Sequence, residues 1–412
     1  MTVLQRLNTL SWHIGIFGCI LLGFAVPTSR AFFNIASALI IFGFILSGKF
    51  KIKWTTIRQS HLFLPILLII AMLIIGASYT SAPFKDVLDH WNRYSKFILI
   101  LMIIGLLTEQ QHRRWMWFAF IIGCSIVLIS TYMNIFFILP WSRTKNIGLG
   151  VDHSVFIDYI AQSLSIIFFA VLMWLLSFQA NRTFYRFLFF ATCAACILSV
   201  IFLTASRIGY VIALSISLLV PFLSFTSRRF KFISLTLFLI IIWLISISDL
   251  SISRIQSMLI EVQNYRQGDI YTSTGARLHM WTTSINLWMQ APFFGHGTGS
   301  YHELAKNAFA NDLMCQIGCF HPHNQFLFFA VEHGLVGVVF LLFYFIAALR
   351  IALSRILPEK ILFVSFLCIV FIDALAHGPL WLFMEAYFSF GIMALLASGT
   401  SGLFSNKSAV RN

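Results

Sequence analysis

The sequence predicts an all-α, polytopic membrane protein of about twelve transmembrane helices. Three observations carry that prediction. The chain of 412 residues is 59% hydrophobic and 16% aromatic. Only 10% of its residues are charged, where a soluble domain carries roughly 25%. Apolar runs recur along its whole length, many at or near the roughly 20 residues that cross a bilayer. A soluble enzyme with one anchor, a cleaved secretory leader and a disulfide scaffold are all excluded, because the first apolar run is one of a dozen.

The spans are expected near residues 10–26, 31–46, 62–77, 91–107, 115–139, 160–178, 187–203, 208–222, 232–247, 335–349, 361–375 and 380–397. The fourth has a clean apolar stretch only from Phe97. The net charge of +14 follows this layout. With the N-terminus in the cytoplasm, Arg6 and the connections bearing Lys49, Lys51, Lys53 and Arg58, Arg113 and Arg114, Arg182 and Arg186 fall inside. So do Arg228, Arg229 and Lys231, then Arg350, Arg355 and Lys360, and the tail residues Lys407 and Arg411. Of the acids, only Glu109 and Glu359 join them. This positive-inside bias sets the orientation, both termini cytoplasmic, and the basic excess needs no nucleic acid to explain it.

One connection, residues 248–325, is far longer than the others and too apolar and aromatic for a linker. It is expected to form a folded external cap between spans 1–247 and 326–412. Within it Ser273 and Thr274 are N-cap residues for a helix over 276–290. Leu278, Trp281, Ile285 and Trp288 fall on one face, so this helix should lie on the bilayer surface or on the bundle. Ala291-Pro292 ends it, and Gly295, Gly297 and Gly299 make a turn-rich exit. Cys193 and Cys196 sit within an apolar span as small packing residues. Cys315 and Cys319 lie on the outer side, where an oxidising compartment permits a disulfide.

Polar groups at membrane depth point to function. Arg207 stands between two spans with almost no connection, either touching lipid headgroups or holding an anion. Arg277 occupies a first helical turn, where a cation opposes the helix dipole; it is either solvated or awaits an anion shared with the helix amides. His321-Pro322-His323-Asn324 precedes the tenth span, followed by Glu332-His333-Gly334-Leu335-Val336-Gly337. His323 there is a candidate base, with an ordinary polar helix start and a metal ligand as alternatives. The spacing fits no HExxH or comparable ligand set, and no Walker, Rossmann or GxSxG signature is present. Asp373 and Glu385 could be read as transporter relay carboxylates, but no internal repeat accompanies them.

At these residues the chain resembles a known family. His323-Asn324, nine residues, then Gly334-Leu335-Val336-Gly337 is similar to the H[NSQ]x9GxxG pattern of the O-antigen ligase and polymerase (Wzy_C-type) superfamily. The likeness extends to Thr204-Ala205-Ser206-Arg207, and to Gly275-Ala276-Arg277 through Gly299 in the long connection. The resemblance implies a glycosyltransferase of GT-C-like, multi-span build at the periplasmic face of a Gram-negative inner membrane. It would move a polysaccharide from undecaprenyl diphosphate to lipid A-core, with no metal and no nucleotide cofactor. Arg207 and Arg277 would hold the diphosphate, and His323 would take the acceptor hydroxyl proton at an imidazole of ordinary pKa, about 6.5. Asn324 would orient His323 or a sugar hydroxyl, and Arg143 and Lys145 would either contact phosphates of donor or acceptor or belong to a solvated loop. Polymerases and protein O-oligosaccharyltransferases of the same superfamily use similar donors; a transporter is a remoter alternative.

Overall fold

The computed structural model describes residues 3–225, 228–309 and 312–404, which form eighteen helices and no strand. The tail cations Lys407 and Arg411 lie outside the described residues. The first seven helices are α1 (Val3–Thr28), α2 (Arg30–Leu46), α3 (Phe50–Gln59), α4 (Phe63–Tyr79), α5 (Phe84–Tyr94), α6 (Lys96–Leu106) and α7 (Gln110–Met133). Then come α8 (Tyr159–Gln179), α9 (Thr183–Leu203), α10 (Arg207–Ser224), α11 (Arg228–Ile247) and α12 (Asp249–Arg266). The chain continues through α13 (Ser273–Gln290), α14 (Ser300–Phe309) and α15 (Asp312–Gly318), and closes with α16 (Gln325–Leu353), α17 (Leu357–Ala376) and α18 (Phe383–Ala397).

Most expected apolar segments fall on one helix each, although the fifth runs past the end of α7, and the chain is a multi-pass membrane protein. By length and composition six helices among the described residues can cross a membrane unaided: α1, α7, α8, α9, α10 and α16. The number rises to eight if each of two bent pairs, α2 with α3 and α11 with α12, counts as one span. Helices α4 and α18 are apolar but shorter. The fourth expected span is not one helix. Its first part is the polar α5, carrying Lys85, Asp86, Asp89 and Arg93 and burying only Val87, His90 and Tyr94; Ser95 then separates it from the eleven-residue α6. Too few apolar side chains precede Phe97 to hold that stretch in hydrocarbon.

Between α2 and α3 the chain turns by 117° at Gly48 and Lys49, both at positive φ. The buried ammonium of Lys53 then donates to the Phe44 carbonyl and the Ser47 hydroxyl, satisfying the end of α2. Helix α1 packs along α2 and α7. Small residues allow the approach: a Cβ on Gly43 would fall 2.3 Å from the Gly15 Cα, the close backbone contact that drives helix association in lipid. Helix α8 is buried along most of its length, against α9, α10 and α17.

The feature that positions the functional end is a break in α16. Gly334 adopts φ 62, ψ −154 in mid-helix, a region essentially closed to residues with a side chain. The break leaves backbone groups without helical partners. The glycine-rich turn after α13 supplies them: His296 and Gly297 N–H donate to the Val331 and Glu332 carbonyls (3.0 and 2.7 Å), and Leu335 and Val336 N–H donate to Pro292 and Phe293 (2.8 and 3.2 Å). Such satisfaction is obligatory where water is scarce. Beside the break, Glu332 is buried against His90 of α5 (2.8 Å) and accepts the Tyr301 N–H of α14 (3.3 Å).

A Cβ at Gly334 would also sit 2.3 Å from the Phe293 carbonyl carbon. Gly334→Ala is therefore expected to cost about 3 kcal/mol or more, from dihedral strain and the backbone clash together. Gly268, at φ +97 with nothing within 4 Å of a built Cβ, is the control: Gly268→Ala should cost about 1 kcal/mol from strain alone. Thermal unfolding in detergent separates the two; equal losses would show that the interlock contributes nothing.

Candidate functional site

The cleft begins at the first turn of α10. Ser206 caps that helix by accepting the Gly209 N–H (3.0 Å), so Arg207 is its first residue. The three-residue junction from α9 is tied down by Thr204, whose hydroxyl donates to Val200 O (2.9 Å) and whose carbonyl accepts the Tyr210 hydroxyl (2.8 Å). Arg207 thus cannot withdraw into bulk water. It borders a small open cleft together with Arg277 and Ser273 of α13, Arg254 of α12, Tyr159 of α8 and His377.

The two expected arginines share this cleft but differ in state. Arg207 forks onto Glu261 of α12, Nη1 to Oε2 and Nη2 to Oε1 at 2.9 Å each, and also donates to the Thr274 hydroxyl (3.0 Å). Glu261 accepts in addition the Thr274 N–H (2.9 Å) and the Thr274 hydroxyl. Burial pushes this carboxyl up, but the hydrogen bonds from Arg207 and Thr274 and the guanidinium charge outweigh it and bring it down to about 2. The expected N-caps, Ser273 and Thr274, are displaced by Thr272, whose hydroxyl oxygen accepts Gly275 N–H (3.1 Å). The first-turn amides expected to await an anion are accordingly engaged, one by Thr272 and one by Glu261. Arg277 makes no hydrogen bond or ion pair among the described residues, and its burial lowers its affinity for a proton.

Helix α13 divides its faces between the bundle and the outside. Ala276, Met280, Ser284 and Leu287 are buried, against α16 among others, while Trp281, Ile285 and Trp288 stay partly exposed. Two of the tryptophans reach neighbouring turns: Trp288 Nε1 donates to Pro292 O and Trp281 Nε1 to Pro322 O, each at 3.0 Å. The second bond fastens the histidine turn to α13.

In that turn His323 takes φ +52, a left-handed conformation that is costly for a side-chain-bearing residue and concentrated at functional positions. Its N–H donates to His321 Nδ1 (2.9 Å), and its own Nδ1 is buried without a partner. Its ring meets His377 edge to face at 5.6 Å. Burial, then the neighbouring His377 and Arg277, lower its pKa to about 3. The ordinary imidazole expected there is thus corrected to one held neutral by its surroundings. Asn324 does not orient the ring: its Oδ1 caps α16 by accepting Phe326 and Leu327 N–H (3.0 Å each), and its Nδ2 donates to Leu375 O (2.8 Å). Lys145 is spent on the Leu139 and Pro140 carbonyls. Arg143 is exposed, and neither residue lines the cleft.

Behind His377 the fold gathers Asp373 and Glu385. His377 Nδ1 lies 3.5 Å from Glu385 Oε1, and both Asp373 oxygens and Glu385 Oε2 are buried without a hydrogen-bond partner. One donor atom from each of the three residues lies within 4.8 Å of the others, as for Asp86, His302 and Glu303, so both groups have the reach to hold a metal ion. Cys315 and Cys319, at the start of the histidine turn, are disulfide-bonded. Sequence reasoning missed Glu261, Arg254 and His377. Arg254 and Glu261 had a signal, since seven residues apart on α12 they share a face; His377, four residues after Asp373, had none beyond its place at a span end.

In this all-helical membrane bundle three arginines and His377 border one cleft, and the His323 ring packs against His377. Residues 192–342 match the Wzy_C family, described as O-antigen ligase. This region is similar to that family, and the matched stretch contains Arg207, Arg254, Arg277, His323 and the Gly334 break. An uncharacterized protein of Haemophilus influenzae is 35% identical over 88 residues, 19% of this chain and 22% of that protein, so the chain spans under a quarter of that relative's length.

A pH dependence follows from the histidines. His323 and His377 are each lowered from 6.5 to about 3, burial being the first cause, and burial also lowers His321. The unfolded chain therefore binds protons that the folded chain refuses. Stability is complete above about pH 6.5 and is lost as pH falls from there toward 3. Melting temperature in detergent should drop between pH 7 and pH 5, before most carboxylates titrate, and His377→Gln should make the drop shallower. Separately, Asn324→Ala should cost about 1–2 kcal/mol through the lost cap, whereas Asn324→Asp should retain most of it; equal losses in the two variants would argue against the capping role.

Proposed function

We propose that this protein is an O-antigen ligase, an inverting, metal-independent glycosyltransferase that moves a polysaccharide from undecaprenyl diphosphate to lipid A-core. The observation that carries the reading is the convergence of Arg207, Arg277 and His377 at one cleft, with the His323 ring packed against His377; both arginines and His323 fall within the stretch that matches the family. Residues 248–325 are read as a periplasmic cap, with both termini in the cytoplasm and the protein in a Gram-negative inner membrane. Spans 1–247 and 326–412 flank that cap. The partly exposed Trp281, Ile285 and Trp288 suit a cap lying against lipid, where a polyprenyl tail enters from the side.

The chemistry needs little beyond these groups. The acceptor hydroxyl oxygen attacks the anomeric carbon, the bond from that carbon to the diphosphate oxygen breaks, and the configuration inverts. The leaving diphosphate needs no strong general acid, which accords with the lack of a glycosidase-like carboxylate pair facing the cleft. A guanidinium stabilises the charge growing on the departing diphosphate. Arg277 is assigned to that task because its guanidinium is unpaired; Arg207 borders the same cleft in an ion pair. His323 accepts the hydroxyl proton. At neutral pH it is already in the neutral form that a base requires. A bound diphosphate would offset the positive field of Arg277 and raise the histidine's affinity for the proton when the donor is in place.

The test uses full-length protein in detergent with EDTA, a lipid-diphosphate-linked glycan and lipid A-core. The wild type should form glycan-linked lipid A-core. His323→Ala should reduce turnover by about 10²–10⁴-fold, the usual worth of a general base, with melting unchanged. Product formed only on a second lipid-linked oligosaccharide would indicate a polymerase, and on a protein hydroxyl a protein glycosyltransferase. Loss of activity in EDTA, reversed by a divalent metal, would contradict metal independence and direct attention to Asp373, His377 and Glu385.

A further inference from the structure

The diphosphate reading leaves a problem of charge. A diphosphate diester carries two negative charges at neutral pH, and the cleft needs two uncompensated cations to meet them. Arg207 is not one of them. Both its terminal nitrogens are engaged by Glu261 at 2.9 Å, and a bidentate pair of this kind cancels charge as it fixes geometry. The cleft has a third guanidinium, Arg254, one of its lining residues. It is half-buried on α12 and, like Arg277, makes no hydrogen bond or ion pair among the described residues.

We propose that Arg254 and Arg277 together form the anion seat of the cleft, and that Arg207 is a positioning residue that acts through Glu261. This rests on the diphosphate reading above and refines it. Arg254 and Glu261 lie seven residues apart, on one face of α12. Glu261 is bonded to the first residue of α10 through Arg207 and to the first turn of α13 through the Thr274 N–H and hydroxyl. One carboxylate therefore joins three helices, and two of them carry the seat: α12 brings Arg254 and α13 brings Arg277. Arg207 neutralises Glu261, which would otherwise repel the ligand, and holds it where the seat is correctly spaced. Ser273 and Tyr159, on the cleft wall, offer neutral donors to the remaining phosphate oxygens.

The two roles predict opposite results in a double-mutant cycle. Binding of farnesyl diphosphate, and of inorganic pyrophosphate for comparison, is measured by calorimetry on full-length protein in detergent, with a melting curve for each variant. Arg254→Ala and Arg277→Ala are each expected to weaken farnesyl diphosphate binding at least tenfold, and Arg254→Lys to recover only part, since an ammonium lacks the planar fork. Arg207→Met should weaken binding by exposing the Glu261 charge, and Arg207→Met with Glu261→Met should return it to within about threefold of wild type. An arginine that touched phosphate directly would not be rescued by removing Glu261. Wild-type affinity in both Arg254→Ala and Arg254→Gln, or a double variant as weak as Arg207→Met alone, overturns the proposal and leaves the diphosphate reading standing. No binding of either probe by well-folded wild type overturns both.

Discussion

The helix that follows the histidine turn cannot run unbroken, because Gly334 interrupts it within an apolar bundle. Backbone groups released there have no water to turn to. The turn at Pro292 to Gly297 is the answer, with four hydrogen bonds across the break. Both strands of this interlock depend on glycine: a Cβ on Gly295 would fall 2.4 Å from the Glu332 carbonyl carbon, as one on Gly334 would collide with Phe293. The consequence reaches the cleft. Helix α13, which carries Arg277, ends where the interlock begins, and the first half of α16, which His323 precedes, ends at the same place. The backbone bonds of this interlock, with the Trp281 side chain donating to the Pro322 carbonyl, hold α13 and the histidine turn in fixed relation.

A second constraint is electrostatic. The chain is strongly basic, and three of its arginines border one small cleft. Left unpaired, three guanidinium groups at that distance from water would repel one another. Glu261 resolves part of this by binding Arg207 and engaging a helix N-terminus, where a carboxylate is favoured by the dipole. What is left over is positive and aimed into the cleft. His323 lies in the same field: burial first, then the neighbouring His377 and the Arg277 charge, lower its affinity for a proton.

Some of this was legible in the residues. The apolar stretches marked where long helices lie, because hydrophobicity over 15–20 residues is a local property; how many of them cross the membrane as single spans was not legible, since the break at Ser95 and the bends after α2 and α11 divide them. The turn at Gly295, Gly297 and Gly299 was readable too, since glycine in that density signals positive φ, and all three adopt it. Arg207, Arg277 and His323 could be singled out as cations or bases where charge is expensive. The fourth span misled because Trp91 and Tyr94 raise apparent hydrophobicity in a stretch whose charges keep it at the surface.

What the sequence by itself determined is the class of protein, a helical multi-pass membrane chain, and where its long apolar segments lie, both of them consequences of where apolar and charged side chains fall along the chain. Only the tertiary structure decided which cations are spent and which are available. Glu261 neutralises Arg207 across 54 positions of sequence, Asn324 and Lys145 are consumed by carbonyls and helix amides, and Arg254 and His377 are brought to the cleft from α12 and from the end of α17. Charge pairing depends on distance in space, and no local pattern encodes which carboxylate will lie 2.9 Å from which guanidinium.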